Sequence, residues 1–367
     1  MAESLDRFPA AQVGRQIGAV FRAWGMSEAL IGASVEIMVE TDLRGIDSHG
    51  IAMLPPYAQF RAEGKLNMTP DVRVVLDGPA TAVLDGDSGL GHAASLQAVE
   101  LAIGKARSLG LGAVAVRNSM HFGAAGAYAL RIAQAGLVGL ATTNASSRSL
   151  VPTRARDKLF GTNPLAFAAP AANNRPFVLD MATTTVAVGK VKLAWLNGKP
   201  MPSGWVVDEN GAAETDGAKA FGQQQRFSER HGLTPLGGLA DMASHKGYGL
   251  AAMVEILSAI LPGASFIGLR GRKANPPMGN DIGHFFLAID PKAFRTDDGF
   301  GTEMDAMIDQ LHALPAADPA LPVLVPGDPE EAARAERLRL GIPLPAILLE
   351  QLRELCRAAN AEFVLEA

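Results

Sequence analysis

The chain has 367 residues, 48% hydrophobic and 19% charged, with a formal net charge of −5 and a pI near 5.8. This is the composition of an ordinary soluble protein with more than one small core, and it excludes one that grips nucleic acid by neutralising a run of phosphates. The single cysteine, Cys356, excludes an internal disulfide framework and a cysteine-built metal site.

The N-terminal MAESLDRFPA carries acids and no apolar core, so it does not read as a secretion signal. Residues 9–24 and 27–43 have the spacing of two amphipathic helices. The first repeats Val13, Ile17, Val20 and Phe21 and ends at Gly25; the second starts at Ser27 as N-cap, with Leu30, Ile31 and Val35 on one face. LRGIDSHG follows, then a further helix with Tyr57 and Phe60, broken at Gly64.

From residue 71 strands and helices alternate, an α/β core. VRVVLD, TAVLDG, GAVAVRN, LVGLATTN, PLAFAAP and PFVLDMAT read as strands; HAASLQAVELAIGKARSLG and AGAYALRIAQAG read as helices. Residues 195–235 are polar and Gly-rich, an excursion from the core. A strong apolar helix at 247–261 and a buried strand GHFFLAIDP come next. The apolar helix contains Glu255, and no apolar run approaches the ~18 residues of a membrane span, so a cytoplasmic protein is expected. Residues 301–313 are helical, a Pro-rich linker follows, and the last helices start at Asp328 as cap and Pro329 as first helical residue.

One segment imitates a dinucleotide fingerprint: strand TAVLDG, then Gly89-Leu-Gly91-His-Ala-Ala94, a helix and a strand. The loop DGDS separates strand from glycines, and the next strand ends in Arg117-Asn118 with no acid for a ribose, so a Rossmann site is not expected. None of the seven histidines forms an HxxxH or HxH pair, and no metal is expected. His121, in NSMHFGAAGAY, stands between a strand end and a helix start, where the amides of Gly123, Ala124 and Gly126 are free to hold an anion. His245 stands beside Lys246 just before an apolar helix, and His284 opens a strand. His92 has a helix-start role; His231 and His312 read as structural. The three tyrosines, Tyr57, Tyr128 and Tyr248, all lie near these histidines.

Taken together, LRGIDSHGIAMLPPY, NSMHFGAAGAYA, GTNPLAFAAP, LDMATTTVAVGKV, HKGYGLAAMVEIL and GHFFLAIDP resemble, in order and over almost the whole chain, the malate/L-lactate dehydrogenase family. That family includes malate, L-sulfolactate and ureidoglycolate dehydrogenases and Δ1-piperideine-2-carboxylate reductases. The resemblance implies an NAD(P)-dependent oxidoreductase with a non-Rossmann α/β core on a largely antiparallel sheet. A helical domain from both termini (1–70 plus 300–367) would flank a cofactor-binding domain (71–299). It further implies a homodimer with the active site near the interface, acting on a small-molecule carboxylate and engaging no nucleic acid or membrane. Its carried-over residues make His121 the acid/base histidine and Ser48 and His49 the substrate-side pair. Gly123, Ala124, Ala125, Thr162, Asn163, Pro164, Asp180, Met181, Ala182, Lys246 and His284 would contact the cofactor.

One position departs. Many members read SHGxxR, where the arginine suits a substrate carboxylate; here the residue is Met53. Arg44, Arg117, Arg148 and Arg156 are alternative clamps, and in TTNASSRSLVP serines and Arg148 stand where some members place a lysine. The expected reaction interconverts a 2-hydroxy acid and its 2-oxo acid, with histidine moving the hydroxyl proton. The alternatives are reduction of a cyclic imino acid such as Δ1-piperideine-2-carboxylate, a hydrolase using Ser48 with His49 or His121, and a non-catalytic cofactor-binding relative. NAD is expected rather than NADP, although Lys192, Arg154 and Arg175 stand in loops eligible to hold a 2′-phosphate.

Overall fold

The structure is a computed structural model that describes residues 5–221, 228–268 and 278–366. It opens with β1 (Asp6–Phe8), α1 (Ala10–Ala23), α2 (Glu28–Leu43) and α3 (Leu54–Ala62). A hairpin of β2 (Arg73–Asp77) and β3 (Thr81–Asp85) leads through α4 (Gly91–Leu109) to β4 (Leu111–Ser119). Then come α5 (Ala125–Gln134), β5 (Val138–Thr143), β6 (Leu165–Ala169) and β7 (Phe177–Met181). The excursion holds α6 (Val188–Leu196), β8 (Val206–Val207), β9 (Ala213–Glu214), α7 (Gly217–Phe221) and β10 (Gly232–Leu233). Next are α8 (His245–Glu255), prolonged by a wider π turn over Ile256–Ile260, and β11 (Ile282–Ile289). The chain closes with α9 (Phe300–His312), α10 (Asp328–Leu340), β12 (Ile342–Leu344) and α11 (Ala346–Ala359).

The main sheet runs β2-β3-β4-β11-β5-β6-β7, and every neighbouring pair is antiparallel except β3–β4. The parallel pair exists because α4 carries the chain back across the sheet, the strand–helix–strand unit that the glycine pattern imitated. Those glycines serve the protein's own packing. A Cβ on Gly91 would stand 2.7 Å from His284 Nε2, the Met120 carbonyl and Phe122, and one on Gly89 would strike Pro70. At these two glycines the start of the helix packs directly against protein.

Alanines explain how α4 and α5 lie so close to the sheet. Ala94, Ala98, Ala102 and Ala106 of α4 and Ala125, Ala129 and Ala133 of α5 are buried with Leu84, Val114, Val116, Phe286 and Ala288. A second core joins the termini: Val13, Ile17, Val20 and Phe21 of α1 meet Tyr57 of α3, Ile342 and Leu344 of β12, and Leu349, Leu352 and Cys356 of α11. Each such fully buried aliphatic or aromatic side chain stabilises by about 1.5–3 kcal/mol relative to exposure.

Several local expectations shift. Ser27 precedes α2 but makes no side-chain cap bond. The buried face of α2 is Ile31, Ser34, Ile37, Met38, Thr41 and Asp42 rather than Leu30, Ile31 and Val35, and it brings three polar groups inward. Gly327 caps α10, with Asp328 its first residue; the Asp328 carboxylate accepts instead from Val325 N–H and pairs with His312, each at 2.7 Å. The helix α9, grouped with the termini from sequence, docks on the β6–β7 turn, where the Asp305 carboxylate accepts from the backbone N–H groups of Asn173 and Asn174. The polar excursion has a three-stranded sheet and a core of its own, built on Val191, Met201, Val206, Phe221 and Leu233.

Candidate active site

The loop after α2 is held from three sides. The Asp42 carboxylate, buried in the last turn of α2, accepts the Ile51 N–H at 2.8 Å. Gly50 presses against that carboxylate so closely that any Cβ would overlap it. From α10, Arg337 donates to the Asp42 carbonyl at 2.6 Å and pairs with Asp47. On this anchored loop Ser48 Oγ and His49 Nδ1 are 2.7 Å apart. The tight turn folds the His49 ring back on the Ser48 hydroxyl, although the two residues are adjacent in sequence.

His121 reaches the same place from the sheet. It follows β4, its carbonyl accepts the Gly91 N–H at 3.0 Å, and its half-buried ring stands 5.3 Å from that of His49, centroid to centroid. His121 Nδ1 accepts the Gly123 N–H at 3.3 Å and lies 2.7 Å from the phenol oxygen of Tyr57. Burial, then the neighbouring imidazoles of His49, His92 and His284, pushes His121 well below the usual histidine range, and burial lowers His49 as well. Two neutral rings facing each other suit the exchange of one proton at a time with a bound molecule.

Backbone and carboxylate bonds tie several of the expected cofactor residues to one another. The Asp180 carboxylate, on β7, accepts the Gly126 N–H at 2.7 Å at the start of α5. Thr183 N–H donates to the Thr162 carbonyl at 2.9 Å, and Leu236 N–H to the Thr183 carbonyl at 2.9 Å. Gly247 N–H donates to the Leu236 carbonyl at 3.1 Å, so the start of α8, with Lys246, abuts the β6 and β7 ends. Met181, Ala182, Thr162 and Pro164 are half-buried there, and Lys246 is exposed with no ion pair among the described residues.

Other expected contacts are corrected. Gly126 does not offer a free amide, since Asp180 occupies it. Ala124 and Ala125 are buried, the latter in the core under the sheet, so only their backbone can face a ligand. Asn163 is sealed: its amide donates to Glu255 at 2.7 Å and to the Ala251 carbonyl, and its oxygen accepts the Ala145 N–H. His284 is stacked on Phe122 at 4.5 Å with both nitrogens bonded, to Thr143 and Ser119, so it supports the ring behind the site. Arg44 is buried and paired with Glu40 at 2.8 Å and Glu331 at 2.7 Å, which removes it as a substrate clamp. Met53 is half-buried against the terminal core. Arg148 is exposed and, among the described residues, reaches only the Ile267 carbonyl, at 3.5 Å. Arg117 pairs with Asp85 at 3.4 Å. Among the described residues no three His, Cys, Asp or Glu side chains are grouped to hold a metal ion, and no helix is long and apolar enough to cross a membrane.

Two residues were missed. Asp42 had a signal: a carboxylate in the last turn of a helix opposes the helix dipole and marks a group held for another purpose. Glu255 was read only as an interruption of an apolar run; its partners come from Asn144, Asn163 and Ile267, and no spacing reveals them.

The buried carboxyls predict a pH dependence of stability. Burial pushes Asp42 up to about 8 and Asp180 up to about 6, from about 3.8 in an open chain. Both folded values are raised, so the stability they contribute is full below about pH 4 and is lost as pH rises through 6 and then 8. Thermal unfolding followed from pH 5 to 8.5 is expected to show this fall, and Asp42→Asn, which keeps an acceptor for Ile51, is expected to flatten it by on the order of a few kcal/mol. Parallel curves for the two proteins would refute the assignment.

Residues 8–353 match the family described as malate/L-lactate dehydrogenase. The chain is 35% identical over 362 residues to the malate dehydrogenase of Pyrococcus horikoshii, spanning 98% of this chain and 97% of that protein. Its fold is similar to the crystal structure of malate dehydrogenase from Entamoeba histolytica, with a TM-score of 0.90 and 29% identity over 98% of this chain and 99% of that one. It is also similar to the Δ1-piperideine-2-carboxylate reductase of Pseudomonas syringae pvar. tomato, with a TM-score of 0.81 and 31% identity over 95% and 99% of the two chains.

Proposed function

The chain belongs to the malate/L-lactate dehydrogenase family, and from that premise we propose that it interconverts a small 2-hydroxy acid and its 2-oxo acid with NAD or NADP. The observation that carries the reading is the His49–His121 pair, 5.3 Å apart, each ring with Nδ1 engaged by the protein and Nε2 without a protein partner among the described residues. His121 exchanges a proton with the substrate oxygen at Nε2. His49, steadied by Ser48, hydrogen-bonds the substrate beside it.

The residues around His121 suit a nicotinamide dinucleotide. Lys246 offers a cation without an ion pair among the described residues for a phosphate, the Thr162 side chain a hydroxyl, and Met181 and Ala182 an apolar wall. The bound nicotinamide supplies or accepts the hydride. Met53, an apolar side chain where many relatives carry arginine, leaves the substrate carboxylate to another cation.

A second reading is reduction of a cyclic imino acid, favoured by the likeness to the piperideine-2-carboxylate reductase and by Met53. His121 would then deliver its proton to nitrogen. Loss of reduced-nicotinamide absorbance, with NADH and NADPH in parallel against pyruvate, oxaloacetate, sulfopyruvate and piperideine-2-carboxylate, separates the two readings. Binding of cofactor without turnover of any of them would overturn both and leave a non-catalytic relative.

The working form is a homodimer with the site near the interface. Two apolar surfaces support it: Val74, Val75 and Leu76 on β2, the last 62% exposed, and Met253, Ile256, Ile260 and Leu261 along α8 and its π turn. Sedimentation is expected to give twice the chain mass, and Ile256→Lys with Ile260→Lys is expected to give a monomer. A wild-type monomer would refute the dimer.

A further inference from the structure

Tyr57 is fully buried in α3, among Phe21, His92 and His121. Its hydroxyl lies 2.7 Å from His121 Nδ1, the same nitrogen that Gly123 N–H approaches at 3.3 Å. A backbone N–H can only donate, so Nδ1 is an acceptor, and a nitrogen that accepts two hydrogen bonds carries no proton. We propose that Tyr57 and Gly123 together hold resting His121 as the Nε2–H tautomer, which makes Tyr57 the positioning residue for the acid/base histidine. This rests on the reading of His121 as the group that exchanges a proton with the substrate.

The consequence concerns which proton is offered. In the resting state His121 shows the pocket an N–H, matched to the lone pair of a carbonyl or imine. When the ring takes a second proton from solvent and carries one on each nitrogen, the Gly123 N–H is left facing the Nδ1–H and its bond is lost. The Tyr57 hydroxyl can rotate from donor to acceptor and keep its bond. During reduction the Nε2 proton passes to the substrate heteroatom as the carbon receives hydride from the bound nicotinamide. The ring is left neutral with the proton still on Nδ1, its N–H donating a hydrogen bond to the Tyr57 oxygen, and a solvent proton taken up at Nε2 restores the charged ring for the next turnover. Burial raises the phenol far above its usual range, so it keeps its own proton throughout. The other titratable groups facing His121 are the imidazoles of His49, His92 and His284.

The test combines nitrogen-15 chemical shifts of histidine-labelled protein with kinetics of Tyr57→Phe. The expected result is a protonated Nε2 and an unprotonated Nδ1 for His121 in the wild type, and a mixture of tautomers in the variant. The variant is expected to lose about 10–100-fold in kcat with little change in KM, and the pH profile of kcat/KM is expected to shift. A wild-type His121 protonated at Nδ1 overturns the proposal whatever the variant does, including failure to fold. So does a folded variant with unchanged kcat and pH profile. Inactivity of the wild type on every substrate would count against the functional reading alone, because the nitrogen shifts still decide the tautomer.

Discussion

Replacing His121 by Asn is expected to lower kcat by about 10²–10⁴-fold, the usual contribution of a positioned general acid or base. Asn is short and neutral, so the site keeps its volume and the Tyr57 hydroxyl keeps a polar neighbour, but no atom there can take up and release a proton. Cofactor affinity, measured by quenching of nicotinamide fluorescence, is expected to stay within a factor of about three, since His121 has no role in holding phosphate or ribose. The pH dependence supplies the sign. His121 is held well below the usual histidine range, first by burial and then by the three neighbouring imidazoles. Reduction draws on the protonated ring, so its kcat/KM is expected to fall as pH rises; oxidation draws on the neutral ring with its proton on Nδ1 and Nε2 open, the form that reduction leaves, and is expected to rise to a plateau. A variant within tenfold of the wild type would move the acid/base role to His49.

The largest loss of stability is expected from Glu255→Ala. This buried carboxylate accepts from Asn163 at 2.7 Å, from Ile267 N–H at 2.9 Å and from Asn144 at 3.1 Å. Removing it strands three buried donors from three separate segments, and a loss of about 3–5 kcal/mol in denaturant unfolding is expected. The effect reaches the site, because Asn163 sits in the turn between Thr162 and Pro164 and Asn144 also accepts the Gly283 N–H at 2.9 Å. Glu255→Gln retains an acceptor and is expected to recover part of the loss. A change below 1 kcal/mol for Glu255→Ala would mean that water replaces the carboxylate, and the hub would be no hub.

The local signals read well where burial and period agree. Val13, Ile17, Val20 and Phe21 are all buried as their spacing requires, and the strand at GHFFLAIDP is buried from Gly283 to Phe286 and at Ala288. Period failed on α2, because the face that turns inward carries Ser34, Thr41 and Asp42, chosen for what they bond rather than for hydropathy: Ser34 meets His92 at 3.2 Å and Asp42 holds the His49 loop. The site residues divide in the same way. His49 and His121 come together, while His284, Asn163 and Arg44 carry the chemistry of ligands and spend it on the protein. Their partners, Thr143, Glu255 and Glu331, lie far along the chain, and pairings of that range leave no trace in local spacing. The glycines at 89 and 91 imitate a cofactor motif for a related reason. Close approach of backbone to protein and close approach of backbone to phosphate demand the same residue.

The place of β11 has a consequence for how the chain is made. It lies between β4 and β5, paired antiparallel with both, so the centre of the sheet is supplied by a strand that comes after everything from Thr143 to Ile282. On the ribosome β4 and β5 emerge early and present two open edges to an empty slot, for on the order of ten seconds at ordinary rates of synthesis. Each can pair with its outer neighbour, β3 or β6, but the edge that faces the slot lacks its native partner and is a template for any passing strand. The nascent chain must therefore keep a gap open at its own middle, with α4 and α5 laid over it, and the last insertion both completes the sheet and brings Gly283 against Asn144 behind the histidines. Folding and the readying of the site are, for this topology, one late event.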